Sequence, residues 1–437
     1  MAGGTFTIQN KVRPGAYFNF ASSSSLGTLG DRGITTMALA MSWGAAKQVL
    51  EIHAGDNVKA LLGYDVTDSK LVLVKEALKR AGTLLLYRLN SGTKAAVTVD
   101  GLTATAKHGG ERGNQLKVTI QPNVDTPSKF DVTTLLGSDV VDKQIVGTIA
   151  ELAANAWIDW SGEGDLTATA GAALTGGADG TVTNADHVDY LTAIEVYDFQ
   201  TMALPSSDAA LKATYAAFAK RLRDDEGKKI QVVLANYPSA DYEGVISVKN
   251  GVVLSDGTHL DAVSATAWVA GAAAAAQVNE TLTYQAYDDA VDANPRYTNS
   301  QIETALKSGE FLFTHNNGKA IVEQDINALT SFTVTKGAVF AKNRVLRVLD
   351  AINNDLKRIF ERFYIGKLDN NSDGRNLLKN EYVKYLESLQ EIGAVQNFNS
   401  QTDIVIGQGE SADSVLVEVS VQPVDAIEKI YTKVQVN

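Results

Sequence analysis

The 437-residue chain contains no cysteine, which excludes disulfides and thiolate metal sites and fits folding in a reducing cytosol. Histidine is scarce as well. The five present, His53, His108, His187, His259 and His315, leave few candidates for the base that a nucleophilic serine needs. Positive charge falls short of negative: 39 Lys and Arg face 51 Asp and Glu, a net charge of −12, and no Lys/Arg run exceeds two residues. Phosphate binding needs a basic stripe, so nucleic acid is not expected as the main partner. The opening MAGGTFTIQNKVRPG lacks the apolar core of a signal peptide, and synthesis and folding in the cytoplasm are expected. No GxxxxGK[ST] motif occurs, so the usual phosphate cradle of a nucleotide-driven machine is missing. What remains, 45% hydrophobic and 21% charged, is ordinary globular composition, with length for about two to four domains.

One apolar stretch stands out, Asp261–Val278 (DAVSATAWVAGAAAAAQV). It has helix length, and its Ala/Gly face around Gly271 has almost no bulk, which lets neighbouring backbones approach. Asp261 is the expected N-cap. The stretch falls short of the roughly 20 residues of a membrane span and is bounded by Asp261, Asn279 and Glu280, so it is expected in the core of a sheet-packed domain without insertion into a membrane. SATAWVAGAAA also resembles the nucleophile helix of subtilisin-type serine proteases, written GTSMATPHVAGAA. Aligned without a gap, the family's serine falls on Val263, and a one-residue gap is needed to bring Ser264 there. No histidine lies in an HGTH-like context. The fold resemblance therefore comes without the chemistry, and a subtilase-fold serine hydrolase is kept as the alternative reading.

Taken in order, residues 1–22 carry Phe6, Ile8, Val12, Pro14, Tyr17, Phe18 and Phe20 with no acid, which is strand chemistry without a local partner. Residues 23–92 alternate helix and strand: a helix Trp43–Ile52, a helix capped at Asp68-Ser69 through Arg80, and a buried strand Thr83–Arg88. From 93 to 176 the chain turns to short Thr/Val runs (Ala95–Val99, Gln115–Gln121, Lys129–Thr134) broken by Gly and Asn, a β-rich insertion interrupted by a helix Val146–Ala156. Residues 177–342 return to βα order, with strands Ala193–Tyr197 and Ile230–Ala235, a helix Asp208–Asp224, and a hairpin of Gly244–Lys249 and Gly251–Leu254 through Asn250-Gly251. Strands each followed by a helix predict a parallel sheet with helices on its faces. A long helix, Asn343–Lys367, follows, with Val345, Leu349, Ile352, Leu356, Ile359, Phe360 and Phe363 on one face and Arg347, Asp355, Lys357 and Arg358 elsewhere. A second helix covers Leu377–Ile392. Two period-two strands close the chain, Val415 to Val421 and Ile430 to Val436, the latter within an arm of residues 424–437.

Asp369, Asn371, Asp373 and Gly374 match positions 1, 3, 5 and 6 of a calcium loop. Position 12, which should be a bidentate glutamate, is Asn380, with Glu381 one place late. Turn plus helix start is the preferred reading, and no cofactor is expected. Gly407-Gln-Gly409-Glu-Ser-Ala412 mimics a dinucleotide fingerprint, but a strand follows where the phosphate-binding helix should begin. His108 beside two glycines reads as a turn. Asp224-Asp225-Glu226 and Asp288-Asp289 read as solvated faces.

Five stretches resemble, in order, the contractile phage tail sheath proteins, in the short form of Gram-positive phages and phage-derived particles. They are VRPGAYFNF (Val12–Phe20), LTGGADGTVTNADHVDYLTAIE (Leu174–Glu195), the Ala-rich helix in VSATAWVAGAAAAAQVNETLTY, NRVLRVLDAINNDLKRIFERFYIGKLDNN, and VQPVDAIEKIYTKVQV. The resemblance implies a multidomain α/β and α+β fold: a subtilisin-like α/β core, a β-sandwich insertion, a C-terminal α+β domain (343–423), and extended N- and C-terminal strand arms. It further implies a structural subunit without enzymic activity, stacked as hexameric rings around a tail tube and meeting baseplate and tail terminator proteins, in a virion tail or tail-like particle assembled in the bacterial cytoplasm. Strand arms that pair with neighbouring copies fit the partnerless strand chemistry at both ends, carried at the C-terminus by Ile427, Ile430, Tyr431, Val434 and Val436. A tube or baseplate protein of the same particle is the third reading.

Overall fold

The computed structural model describes residues 2–4, 15–17 and 29–436. Two compact units result: Asp31–Asn354 with Pro423–Asn437, and Met1–Gly30 with Asp355–Gln422.

The first unit is organised by a seven-stranded sheet. Its order is Glu310–Phe311, Val245–Val248, Gln231–Ala235, Thr201–Leu204, Ile34–Leu39, Thr83–Arg88 and Val49–His53. Every pairing is parallel except the last, where Val49–His53 runs antiparallel along Thr83–Arg88. The central strands are apolar on both sides, as a sheet covered on both faces requires. Met37, Leu84, Leu86, Val233 and Ile246 face one core with the helix Ala262–Ala275. Their neighbours Ala38, Leu85, Tyr87, Val232 and Val245 face the other with the helices Asn184–Ile194 and Ala209–Asp224. Alternation with period two thus feeds two cores from one sheet.

The Ala-rich helix forms as expected, with the Asp261 carboxylate accepting from the Ser264 N–H. Residues Ala265 to Ala274 are all buried. Smoothness has a use at Gly271: a Cβ there would lie 2.3 Å from the Ala77 carbonyl oxygen in the neighbouring helix Val72–Leu78.

Residues between Ala96 and Ala173 build two antiparallel sheets, one of four strands and one of three. They close on a shared core of Leu102, Ala104, Leu116, Val118, Ile120, Val132 and Ile158. A buried arginine serves this junction. Arg88, at the end of a central strand, donates to the carbonyls of Gly44, Ser91 and Gly109.

Several local expectations give way to longer-range pairing. Trp43–Ile52 is not a helix: Gly44 and Lys47 adopt positive φ, and Val49–His53 joins the sheet edge. Val146 ends a strand paired to Phe130–Leu136, and only a single 3-10 turn, Ile149–Glu151, follows. Ala193 and Ile194 finish a helix begun by a Thr183/Asp186 capping box, and the strand comes later, at Thr201–Leu204. The Asn250-Gly251 pair makes no hairpin. Val245–Val248 is buried on both sides and enters the parallel sheet, whereas Gly251–Leu254 pairs antiparallel with Ala290–Asn294 and His259–Leu260. Asp288 departs from the solvated reading, half-buried and accepting from Arg80 and from the Trp268 indole, whereas Asp289 is exposed and pairs with Lys79. Asp224 accepts from the Tyr242 hydroxyl, and Glu226 pairs with Arg221.

On the helix Asn343–Phe363, Val345, Leu356 and Ile359 are buried as expected, but the buried surface is wider than the expected stripe at one end and fails at the other. Arg347 is buried against Asp325, while Phe363 is exposed. In the second unit, Asp355 is buried and accepts from the Gly30 N–H and the Tyr385 hydroxyl. Tyr385 lies on the helix Ser372–Glu391, which packs on an antiparallel hairpin of Ile404–Gln408 and Val415–Val419.

Candidate functional site

The chain's last segment is where sequence and structure together point to a function. Among the described residues, 424–436 form no strand. Ile427, Ile430, Tyr431, Val434 and Val436 are between 79% and 91% exposed. An exposed run of Ile, Tyr and Val with strand periodicity is an aggregation hazard unless another surface takes it.

One residue in it behaves differently. Glu428 has a side chain only 10% exposed. Its carboxylate accepts from Thr283 Oγ1 at 2.9 Å, from Gln324 Nε2 at 2.6 Å and from the Lys342 ammonium. Burial pushes the Glu428 carboxyl upward, but the hydrogen bonds from Lys342, Gln324 and Thr283 outweigh it and hold the group below its ordinary value. The sequence reading missed Glu428, because a single acid between Ile427 and Lys429 carries no motif.

Of the N-terminal residues expected to act as an arm, Phe6, Ile8, Val12, Pro14, Phe18 and Phe20 lie outside the described residues. Tyr17 ends a short strand, Gly15–Tyr17, whose backbone pairs in parallel with Ala2–Gly4.

Asn371 caps the helix Ser372–Glu391, its side-chain oxygen accepting from the Gly374 N–H at 2.9 Å, and Asp373 sits in the first turn. The Asp369 carbonyl accepts from the Asn371 N–H. These residues thus serve a helix start. Among the described residues no cluster of three or more His, Asp or Glu is arranged to hold a metal ion. The Gly407–Ala412 stretch turns the hairpin between Ile404–Gln408 and Val415–Val419. His108 lies edge-on to Trp43, and burial, aided by Arg88, lowers it to about 4.

Ser264 has no histidine hydrogen-bonded to it among the described residues. His53 faces Thr83, His187 the Tyr215 hydroxyl, His259 Asn294, and His315 Asp292.

These features define a class of protein with an α/β body, an insertion of two antiparallel sheets and an exposed apolar terminal segment. Comparison with known proteins gives the family. Four family descriptions match along the chain: tail sheath protein Gp18 domain III N-terminal region (residues 32–89), phage tail sheath protein beta-sandwich domain (90–179), phage tail sheath protein central domain (180–328) and phage tail sheath C-terminal domain (335–437). The phage-like element PBSX protein XkdK of Bacillus subtilis is 41% identical over all of both chains. The crystal structure of a sheath tail protein from Desulfitobacterium hafniense is 61% identical with a TM-score of 0.87, over 97% of this chain and 100% of that one. Its counterpart from Listeria innocua is 41% identical with a TM-score of 0.81, over 94% and 96%. The contracted helical sheath of the anti-feeding prophage shares the fold at 13% identity, with a TM-score of 0.58 over 98% and 100% of the two chains. The chain belongs to the phage tail sheath proteins, structural subunits of contractile injection systems.

Proposed function

We propose that this protein polymerises as stacked hexameric rings around a tail tube and contracts to drive the tube through a target cell envelope. The observation that carries the reading is the apolar segment after Glu428, exposed along its length and without a strand partner among the described residues. In this reading residues 1–22 and 424–437 are arms that add strands to neighbouring copies. The N-terminal contacts fall to Phe6, Ile8, Val12, Pro14, Tyr17, Phe18 and Phe20. The C-terminal ones fall to Ile427, Ile430, Tyr431, Val434 and Val436. The hairpin Ile404–Gln408/Val415–Val419 offers the acceptor, since a two-stranded sheet has two open edges and here exposes Val405 and Leu416.

The body divides into an N-terminal α/β part (23–92), the sandwich-like insertion (93–176), a subtilisin-like α/β domain without catalysis (177–342) and a C-terminal α+β domain (343–423). Partners are other copies, the tube, and the baseplate and terminator proteins that bound the sleeve, with assembly in the host cytoplasm. Deleting 424–437, or 1–20, is expected to leave a folded monomer that forms no sleeves under negative-stain electron microscopy. Sleeves of normal length from either truncated protein refute the arm assignment.

A further inference from the structure

Glu428 divides the terminal segment into two parts with different physics. At Glu428 the chain is held to its own body, although Ile427 beside it is 87% exposed. After it, Ile430, Tyr431, Val434 and Val436 are exposed. The three groups that hold its carboxylate come from separate places on that body. Thr283 lies in the loop after the Ala-rich helix, Gln324 just beyond the strand Lys319–Val322, and Lys342 immediately before the helix Asn343–Phe363. The pocket is tied further into the core. Thr283 Oγ1 also accepts from the Asp325 N–H, and Asp325, itself 1% exposed, accepts from the Leu282 N–H, the Asn343 side chain and Arg347. A carboxylate with three donors in a nearly closed pocket, backed by a second buried carboxylate network, is a built socket.

We propose that Glu428 is the pivot of the C-terminal arm: its carboxylate, seated between Thr283, Gln324 and Lys342, pins the arm's root to its own subunit and leaves the residues beyond 428, with the adjoining Ile427 side chain, to reach another copy. This rests on the reading of 424–437 as an exchanged arm. The pivot adds a length to that reading. Residues 429–437 span about 30 Å fully extended, so the sheet edge that receives Ile430 to Val436 must stay within that distance of Thr283 before and after contraction. A pinned root also places Ile430, Val434 and Val436, which share strand parity, at a fixed offset from the body, setting the register in which they meet the acceptor. Without the pin, slack from the preceding residues lengthens the tether and lowers its effective concentration at the acceptor.

The test uses the full-length chain, whose lack of cysteine allows one nitroxide label at an introduced thiol. Labels are placed at Lys429→Cys, beside the pivot, and at Lys433→Cys, further along, and their mobility is read by electron paramagnetic resonance on the monomer. The label at 429 is expected to move slowly and that at 433 fast. Adding Lys342→Met, or Gln324→Leu, which leave the arm's sequence untouched, is expected to bring 429 to the mobility of 433. The same variants, unlabelled, are expected to retain the native melting profile up to a small shift and to form sleeves at a concentration about tenfold higher. Equal mobility at 429 and 433 in the otherwise native chain overturns the pivot, as does a 429 label indifferent to both substitutions. Failure of the arm reading is separately visible: a chain ending at residue 428 that still builds sleeves refutes the exchange while leaving the label result standing.

Discussion

Gly271 puts two residue-level preferences in opposition. Replacing a helical glycine by alanine favours the helix by about 1 kcal/mol. Here the added methyl would meet the Ala77 carbonyl oxygen at 2.3 Å, and its obstacle is backbone, which cannot rotate away. Overpacking of this kind costs about 1–3 kcal/mol, so Gly271→Ala is expected to lower the melting temperature despite the propensity gain; an unchanged or raised melting point contradicts the close approach. Ser264→Ala is expected to leave folding and assembly intact, and loss of any hydrolase activity on that change would restore the enzyme reading. Asp241 supplies a pH prediction. Hydrogen bonds from Ser331 and Thr330 hold its carboxyl at about 2, against an ordinary 3.8. A depressed folded-state value means that its stabilisation is present above the ordinary value and lost as pH falls toward the lower one. Asp241→Asn is therefore expected to be less stable than the native chain at pH 7 and to converge with it near about pH 2, as read from denaturant midpoints across that range.

At the scale of elements, legibility tracks how local the deciding interactions are. The helix Ala262–Ala275 is readable because its cap, Asp261, and its smooth face lie within one short stretch. Asp208 capping Ala209–Asp224 is readable for the same reason. The Asn250-Gly251 pair is a local turn signal overruled by distant partners, since Val245–Val248 gains more as a doubly covered parallel strand than as half of a hairpin. Glu428 is the extreme case. Its partners lie 86, 104 and 145 residues away, and no window of sequence contains them. The hairpin Ile404–Gln408/Val415–Val419 is legible in its strands, Asp403–Ile406 and the period-two run from Val415, and in the turn between them, but its open edges are not. Those edges carry a prediction: charged residues at an edge block strand addition, so Val405→Lys with Leu416→Lys is expected to abolish sleeve formation while circular dichroism of the monomer stays native. Normal sleeves from this double variant move the acceptor elsewhere.

For the molecule as a whole, the question is where the work of contraction comes from. The sequence has no GxxxxGK[ST] motif, and in the proposed assembly the exchanged arms are the contacts suited to survive the stroke, because backbone hydrogen bonds at a sheet edge tolerate hinging at the arm's root. On that proposal the contacts that change are those between subunit bodies, and the extended sleeve is a kinetically trapped state of higher free energy. A difference of a few kcal/mol per subunit, over on the order of a hundred subunits, amounts to hundreds of kcal/mol for one stroke. This makes a calorimetric prediction. Extended sleeves heated without nucleotide are expected to contract in one event before the subunits unfold, at a temperature that rises with scan rate, and a second scan of the cooled sample is expected to show only unfolding, because the contracted lattice does not re-extend. A contraction event that recurs on rescanning, or one that requires added nucleotide, would mean that the lattice stores no energy and that the stroke is driven from outside it.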